Sequence, residues 1–297
     1  MLWRKAKSGG RRILSTNNLA VVGSPIGHSK SPLLHAAAYR ALGLDWNYER
    51  HEVSEGSLPS FVGRLDSTWR GLSVTMPLKR EAFALAASHD AHALYTGAVN
   101  TLAMSYSGAH RVMNGYNTDV FGITCALTAA GSQGIDHAVI IGGGATAESA
   151  LVALDELGAG YVSVALRDTS KAQALEALGG RIGIDVRIAD LAALDRLAPA
   201  SVAISTVPGS ANLSLDDLAR PERAVLLDVA YDVWPSPRAA EWTSRGGISV
   251  SGLSMLVFQA LKQVRIFVAN APDLPLPDEA AIAAAMFASV GLGESGL

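Results

Sequence analysis

His137-Ala138-Val139-Ile140-Ile141-Gly142-Gly143-Gly144-Ala145-Thr146-Ala147 is the stretch that settles the fold class. A short apolar strand runs into a glycine-rich turn. A helical pattern follows through Leu157, where Gly158 stops it, and a second apolar run spans Tyr161 to Leu166. Strand, glycine loop, helix and strand in that order are the unit that binds dinucleotides, and Gly142-x-Gly144-x-x-Ala147 matches its fingerprint. The first glycine permits a tight turn, and the second lets the backbone approach a pyrophosphate. The small residue at 147 lets the helix pack closely on the strand. A glycine-rich turn without ligand is the alternative, but the flanking elements have the lengths the binding unit needs. Gly142, Gly143, Gly144, Ala145 and Thr146 are therefore candidate cofactor contacts.

The choice of cofactor is made just after the second strand. An acidic residue there would chelate the ribose hydroxyls of NAD, whereas an arginine can pair with the 2′-phosphate of NADP. This chain has Leu166-Arg167-Asp168. Leu166 cannot bind a ribose hydroxyl, Arg167 can hold a phosphate, and Lys171 can help. Asp168 could cap the following helix or compete for the ribose. NADP is favoured over NAD.

Outward from this unit the same grammar continues. Strand candidates lie at 201–206, 224–229 and 248–250 downstream, and at 19–23, 47–53, 71–75, 98–104 and 111–114 upstream, with a hairpin turn at 105–108. A helix begins near Asp119 and ends before Gly131. A long helical pattern covers 253–269, and a proline-rich link leads to a last helix at 278–290. Alternating strands and helices indicate an α/β protein.

The 297 residues suffice for one large or two ordinary domains, and the net charge of −3 points to neither nucleic acid nor an anionic membrane surface. No apolar run approaches the ~20 residues of a spanning helix. The single cysteine, Cys125, lies in an apolar helical pattern and reads as a small core residue; a disulfide framework is excluded and a reducing compartment fits. Residues 1–17 are basic, broken by Gly9-Gly10, and lack the apolar segment of a secretion signal, so they read as a disordered extension of a cytoplasmic protein. The seven histidines show no metal-ligand spacing, and no metal is expected.

Three junctions carry candidate chemistry. In Val21-Val22-Gly23-Ser24-Pro25-Ile26-Gly27-His28-Ser29-Lys30-Ser31-Pro32 an apolar run ends and a helix starts, with Ser31 as N-cap and Pro32 as first helical residue. Two hydroxyls at the positive end of a helix suit a small carboxylate ligand, although a capped junction without ligand would look the same. Gly71-Leu72-Ser73-Val74-Thr75-Met76-Pro77-Leu78-Lys79 repeats the pattern. Lys79 falls in or near a first helical turn, where cations are disfavoured, so it is either a surface lysine or a group held for acid/base work. Asp119 opens the next helix after Asn117-Thr118 and could be a plain cap. Asn100 reads as a polar residue in an apolar strand, either a satisfied core amide or a ligand contact.

Taken in order, these segments resemble the shikimate dehydrogenase family. The resemblance rests on the serine junction, Gly71 to Lys79, Gly97-Ala-Val-Asn-Thr-Leu102 and Gly115-Tyr-Asn-Thr-Asp-Val-Phe-Gly122. The glycine loop, Tyr231-Asp-Val-Trp-Pro-Ser-Pro237 and Ser251-Gly-Leu-Ser-Met-Leu-Val-Phe-Gln259 complete it, over residues 18 to 290. It implies NADPH-dependent reduction of 3-dehydroshikimate to shikimate, on the route to chorismate and the aromatic amino acids. By motif position Ser29, Ser31 and Tyr231 would hold the substrate carboxylate. Thr75, Asn100, Asp119 and Gln259 would bind its hydroxyls, and Lys79 would be the acid/base, paired with Asp119. Thr206 and Gly252 would join the cofactor contacts.

The implied architecture is a discontinuous α/β substrate domain, residues 18–118 plus 253–297, and a Rossmann-type dinucleotide-binding domain, residues 119–252, in a monomer or homodimer. The chain departs from the family at Ala36 and Ser73, where asparagine is usual, at Leu166-Arg167-Asp168, where Asn-Arg-Thr is common, and at Ile204-Ser205-Thr206 in place of Asn-Ala-Thr. Leu166 and Asp168 keep a quinate or aminoshikimate dehydrogenase, possibly NAD-dependent, as an alternative reading. A non-catalytic shikimate-binding protein on the same fold is a further one.

Overall fold

The computed structural model describes residues 17–108, 110–211 and 213–293. Of the expected N-terminal extension, residues 1–16 lie outside the described residues, whereas Asn17 already pairs with Trp46 in the first sheet.

The first half alternates β1 (Asn17–Gly23), α1 (Ser31–Ala41), β2 (Trp46–Glu52), α2 (Leu58–Gly63), β3 (Trp69–Val74), α3 (Lys79–Leu85), β4 (Ser88–His89), α4 (Ala91–Thr96), β5 (Thr101–Ser107) and β6 (His110–Tyr116). There follow α5 (Asp119–Ala129), β7 (His137–Ile141), α6 (Ala145–Glu156), β8 (Tyr161–Leu166), α7 (Ala172–Ile182), β9 (Asp185–Asp190), β10 (Val202–Ser205), β11 (Val225–Asp228), α8 (Pro237–Ser244), β12 (Ile248–Ser251), α9 (Gly252–Ala269) and α10 (Glu279–Ser289).

The strands form two six-stranded sheets, ordered β2-β1-β3-β5-β6-β4 and β12-β11-β10-β7-β8-β9. In the second every neighbouring pair is parallel. Its strand order reverses between β7 and β10, which opens the crevice where such sheets bind ligands. The first sheet is mixed: β1, β2 and β3 run parallel, and β5 is antiparallel to both β3 and β6.

Both sheets carry helices on both faces, and the period of two distributes their side chains. Along β7, Ala138 and Ile140 join a core with Leu151 of α6 and Ile123 of α5. Val139 and Ile141 face a second core around Trp242 of α8. Along β1, Leu19 and Val21 pack under α1, α9 and α10, while Ala20 and Val22 pack under α2 and α3. Such double burial explains why these strands read as continuous apolar runs.

Several expectations are corrected. Lys30, not Ser31, holds the N-cap position of α1, with helix-like torsions, because a turn from Ser29 N–H to Ile26 C=O already winds the chain; Ser31 is the first helical residue. Asn100 precedes β5 rather than lying within a strand. α9 starts at Gly252, where Ser251 Oγ accepts from Leu253 N–H at 3.2 Å. The short β4, α2 and α4, and the longer β9 and α8, were not anticipated, because their patterns are too short or too polar to stand out. At 18 residues α9 is long and apolar enough to cross a membrane, contrary to the reading of the chain, but 67% of it is buried inside the fold. Cys125 is only half-buried, and burial pushes its thiol up to about 11.

The two lobes meet along a polar seam. Asn117 Nδ2 donates to Ser149 Oγ at 3.0 Å, His92 lies 2.6 Å from Glu156, and Arg181 donates to Tyr95 C=O at 2.5 Å. α5 and α9 also pass closely. A Cβ on Gly122 would lie 2.7 Å from Met255 C=O and 2.9 Å from Gln259 Cβ, so this glycine permits the crossing.

Candidate active site

β1 and β3 end side by side, and the loops after them turn into α1 and α3. Ser29 and Ser31 thereby face Thr75 and Lys79 across a cavity of about 250 Å3. Asn100, Asp119, Tyr231 and Gln259 line the same cavity, so all eight expected substrate residues converge. They come from loops that leave the strands of both sheets, from the first residues of α1, α3 and α5, and from α9, and sequence separation gives no hint of this.

Lys79 is the first residue of α3, and its Nζ bonds Asp119 Oδ2. The other carboxylate oxygen accepts from Asn100 Nδ2 at 2.7 Å. Asn100 is itself fixed: its Oδ1 accepts from Thr118 N–H at 2.9 Å and from the Thr101 hydroxyl at 2.8 Å. Asp119 N–H donates to Asn117 Oδ1 at 3.1 Å. Asp119 is the first residue of α5 rather than its cap, and the cap residue Thr118 makes no side-chain capping bond. Asn100 and Thr118 thus fix the carboxylate, and the carboxylate holds the lysine in one place.

The serine junction behaves differently. Ser31 N–H donates to Ser29 Oγ at 3.3 Å, so the first hydroxyl accepts from the helix end and keeps its proton for a ligand. Tyr231, on the loop after β11, is mostly buried, and burial pushes its phenol above the ordinary range.

The reading of the sequence missed the wall behind the serines. Ser73 and Gln263 line the cavity. Tyr48 donates to Ser73 Oγ at 2.6 Å, and Ser73 donates to Gln263 Oε1 at 2.7 Å. Gln263 Nε2 donates to Thr101 Oγ1 at 2.9 Å. His35 sits beneath, stacked on Tyr48 with ring centroids 4.0 Å apart, and burial lowers its pKa to about 3. Gln263 lies one helical turn after Gln259, and that spacing was the available signal.

The dinucleotide residues form a second array. A cavity of about 470 Å3 is lined by Gly142, Gly143, Gly144, Leu166, Arg167, Asp168, Lys171 and Thr206. A third, about 620 Å3, shares Gly143, Gly144, Lys171 and Thr206 with it, and shares Thr75, Lys79 and Thr146 with the substrate cavity. One continuous path therefore runs from Arg167 to Lys79. Ala145 lines the third cavity, whereas Gly252 lies in the substrate cavity.

The loop fits a dinucleotide. Gly142 has φ of 110°, and a Cβ there would meet Thr206 Oγ1 at 2.4 Å, so glycine is required. A Cβ on Gly144 would meet nothing within 4 Å, so the backbone faces open cleft. Ala147 is fully buried under the strand. Asp168 Oδ1 accepts from Ser170 N–H at 3.0 Å and caps the short turn Thr169–Lys171, while Asp168 also lines the dinucleotide cavity.

A glycine loop at the switch point of a parallel sheet, continuous with a lysine–aspartate pocket, defines a two-lobed α/β protein of the dinucleotide-binding class. Comparison with known proteins narrows this. Residues 21–102 match the family model described as the shikimate dehydrogenase substrate binding domain. Shikimate dehydrogenase (NADP(+)) of Methylobacterium radiotolerans is 34% identical over 258 residues, 84% of this chain and 90% of that protein. The pentafunctional AROM polypeptide of Yarrowia lipolytica is 31% identical over 87% of this chain, and the chain spans only 17% of its length. The crystal structure of Mycobacterium tuberculosis shikimate dehydrogenase superposes with a TM-score of 0.78 at 40% identity, over 92% of this chain and 99% of that one. The chain belongs to the shikimate dehydrogenase family.

Proposed function

We propose that this protein catalyses the reversible, NADP-dependent reduction of 3-dehydroshikimate to shikimate, on the route to chorismate. The observation that carries the reading is the Lys79–Asp119 pair in the substrate cavity, with Lys79 on the wall that this cavity shares with the dinucleotide cleft. The name of the Methylobacterium radiotolerans relative supports both the substrate and NADP.

The residues divide the work as follows. Ser29 and Ser31 at the start of α1, with Tyr231 opposite, hold the substrate carboxylate. Thr75, Asn100, Asp119 and Gln259 take its hydroxyls. NADPH, when bound along Gly142–Thr146 with its 2′-phosphate against Arg167 and Lys171, supplies the hydride. Lys79 delivers a proton to the ketone oxygen as negative charge develops there, and takes one back from the hydroxyl in the reverse direction. Asp119 aims the lysine and accepts from the neighbouring hydroxyl. The lobe that holds the substrate is built from the segments 18–118 and 253–293 among the described residues, and the lobe that holds the cofactor from 119–252.

The test is near-ultraviolet absorbance with purified protein, shikimate and either NADP or NAD, with quinate and aminoshikimate as comparators. Rapid reduction of NADP by shikimate is expected. Higher kcat/KM on quinate, or with NAD, would overturn the substrate or the cofactor assignment respectively. Tight shikimate binding without turnover would leave a binding protein.

A further inference from the structure

Arg80 follows Lys79 on α3, and Glu148 sits in the first turn of α6, four residues past Gly144. Arg80 Nη2 lies 2.6 Å from both Glu148 carboxylate oxygens, and Nη1 bonds Thr96 C=O. The partners are unequally placed. The Glu148 side chain is 10% exposed, whereas that of Arg80 is 55% exposed. Burial raises the Glu148 carboxyl above its ordinary range, and the Arg80 guanidinium opposes that shift. Both residues line the third cavity, together with Gly143, Gly144, Ala145 and Thr146.

This arrangement sets two anions in competition. A glutamate in the first turn satisfies the positive end of α6, the same end a diphosphate needs. Left alone, its charge would repel a diphosphate on the glycine loop. Arg80 reaches from the other lobe, cancels that charge and remains half in the cleft. A guanidinium has five N–H donors, and these contacts leave some of them available to a second anion.

We propose that Arg80 is a cofactor-binding residue supplied by the opposite lobe, which neutralises Glu148 and presents positive charge to the diphosphate of the bound dinucleotide. The proposal rests on reading Gly142–Ala147 as the dinucleotide loop. A merely structural latch between the lobes would involve the same two residues, but it would respond differently to substitution.

Binding of NADPH, followed by its fluorescence at low and moderate salt, tests the assignment without turnover. Arg80→Gln leaves Glu148 facing the diphosphate and should raise the NADPH Kd about tenfold or more. Glu148→Gln frees Arg80 for the ligand and should leave Kd unchanged or lower. The double variant should recover the part of the loss that comes from the uncovered Glu148 charge while staying weaker than the unaltered protein, and Arg80→Lys should retain part of the affinity, which guards against simple misfolding. Adenosine 2′-monophosphate, which carries no diphosphate, should bind all variants alike. Equal weakening by Arg80→Gln and Glu148→Gln without recovery in the double variant would establish a latch and overturn the proposal, as would an Arg80→Gln Kd within twofold of the unaltered protein. Failure of the unaltered protein to bind NADPH would overturn the loop reading itself, and the proposal with it.

Discussion

Lys79 and Asp119 show how two ordinary residues become a site. Each opens a helix, and either could be a surface charge or a cap by its local pattern. Convergence on one cavity, with Asn100 holding the second carboxylate oxygen at 2.7 Å, removes the ambiguity. Lys79→Ala should lower kcat by roughly 10²–10⁴-fold with little change in shikimate affinity, the range of a positioned acid/base group; near-normal turnover would remove Lys79 from the chemistry. Arg167 is the matching case for the cofactor. Arg167 and Lys171 are the cationic side chains on that cavity. Arg167→Ala should weaken NADP far more than NAD in a binding titration, and equal losses would exclude contact with the 2′-phosphate.

At the scale of elements, helix crossings set the site's dimensions. α5 carries Asp119 and α9 carries Gln259, and Gly122 lets their backbones approach. Gly122→Val should force them apart, destabilising the fold by about 1–3 kcal/mol, the usual range for overpacking. It should also raise the KM for shikimate before that for NADP. A chemical melt with kinetics on the folded protein checks both. A buried pair ties the end of β11 to α8 and to the loop after β10. Arg238 Nε donates to Asp228 Oδ2 at 2.8 Å, the same oxygen accepts from Ser236 Oγ at 2.6 Å, and Arg238 Nη2 donates to Pro208 C=O at 2.8 Å. Neither charge reaches solvent, so Arg238→Met, which orphans Asp228, should cost about 3–5 kcal/mol by denaturant unfolding. Long, strongly patterned elements such as β7, α6 and α9 were legible from periodicity. The two-residue β4 and the six-residue α2 and α4 were not, because they are stabilised by contacts from other parts of the chain.

For the whole molecule, buried His35 contributes to acid stability. His35 is fully buried, and burial lowers its pKa from 6.5 to about 3. Below pH 6.5 the unfolded chain binds a proton there that the folded chain does not. Its contribution is therefore complete above pH 6.5 and declines as pH falls towards 3, by about 1.4 kcal/mol per unit. Melting temperature should drop through that window, and His35→Gln should flatten the decline; an unchanged slope would clear His35.

The α/β class and the dinucleotide loop were readable along the chain, because periodicity, glycine torsion and helix ends are properties of neighbouring residues; the eight substrate-pocket candidates came from the order of motifs shared with the family, since each alone also fitted a cap, a core amide or a surface charge. The Tyr48–Ser73–Gln263 wall and the Arg80–Glu148 pair belong to the folded molecule. Tyr48 and Gln263 are 215 positions apart in the chain yet joined through Ser73 by bonds of 2.6 and 2.7 Å, and no local pattern encodes which distant polar groups will share a buried space.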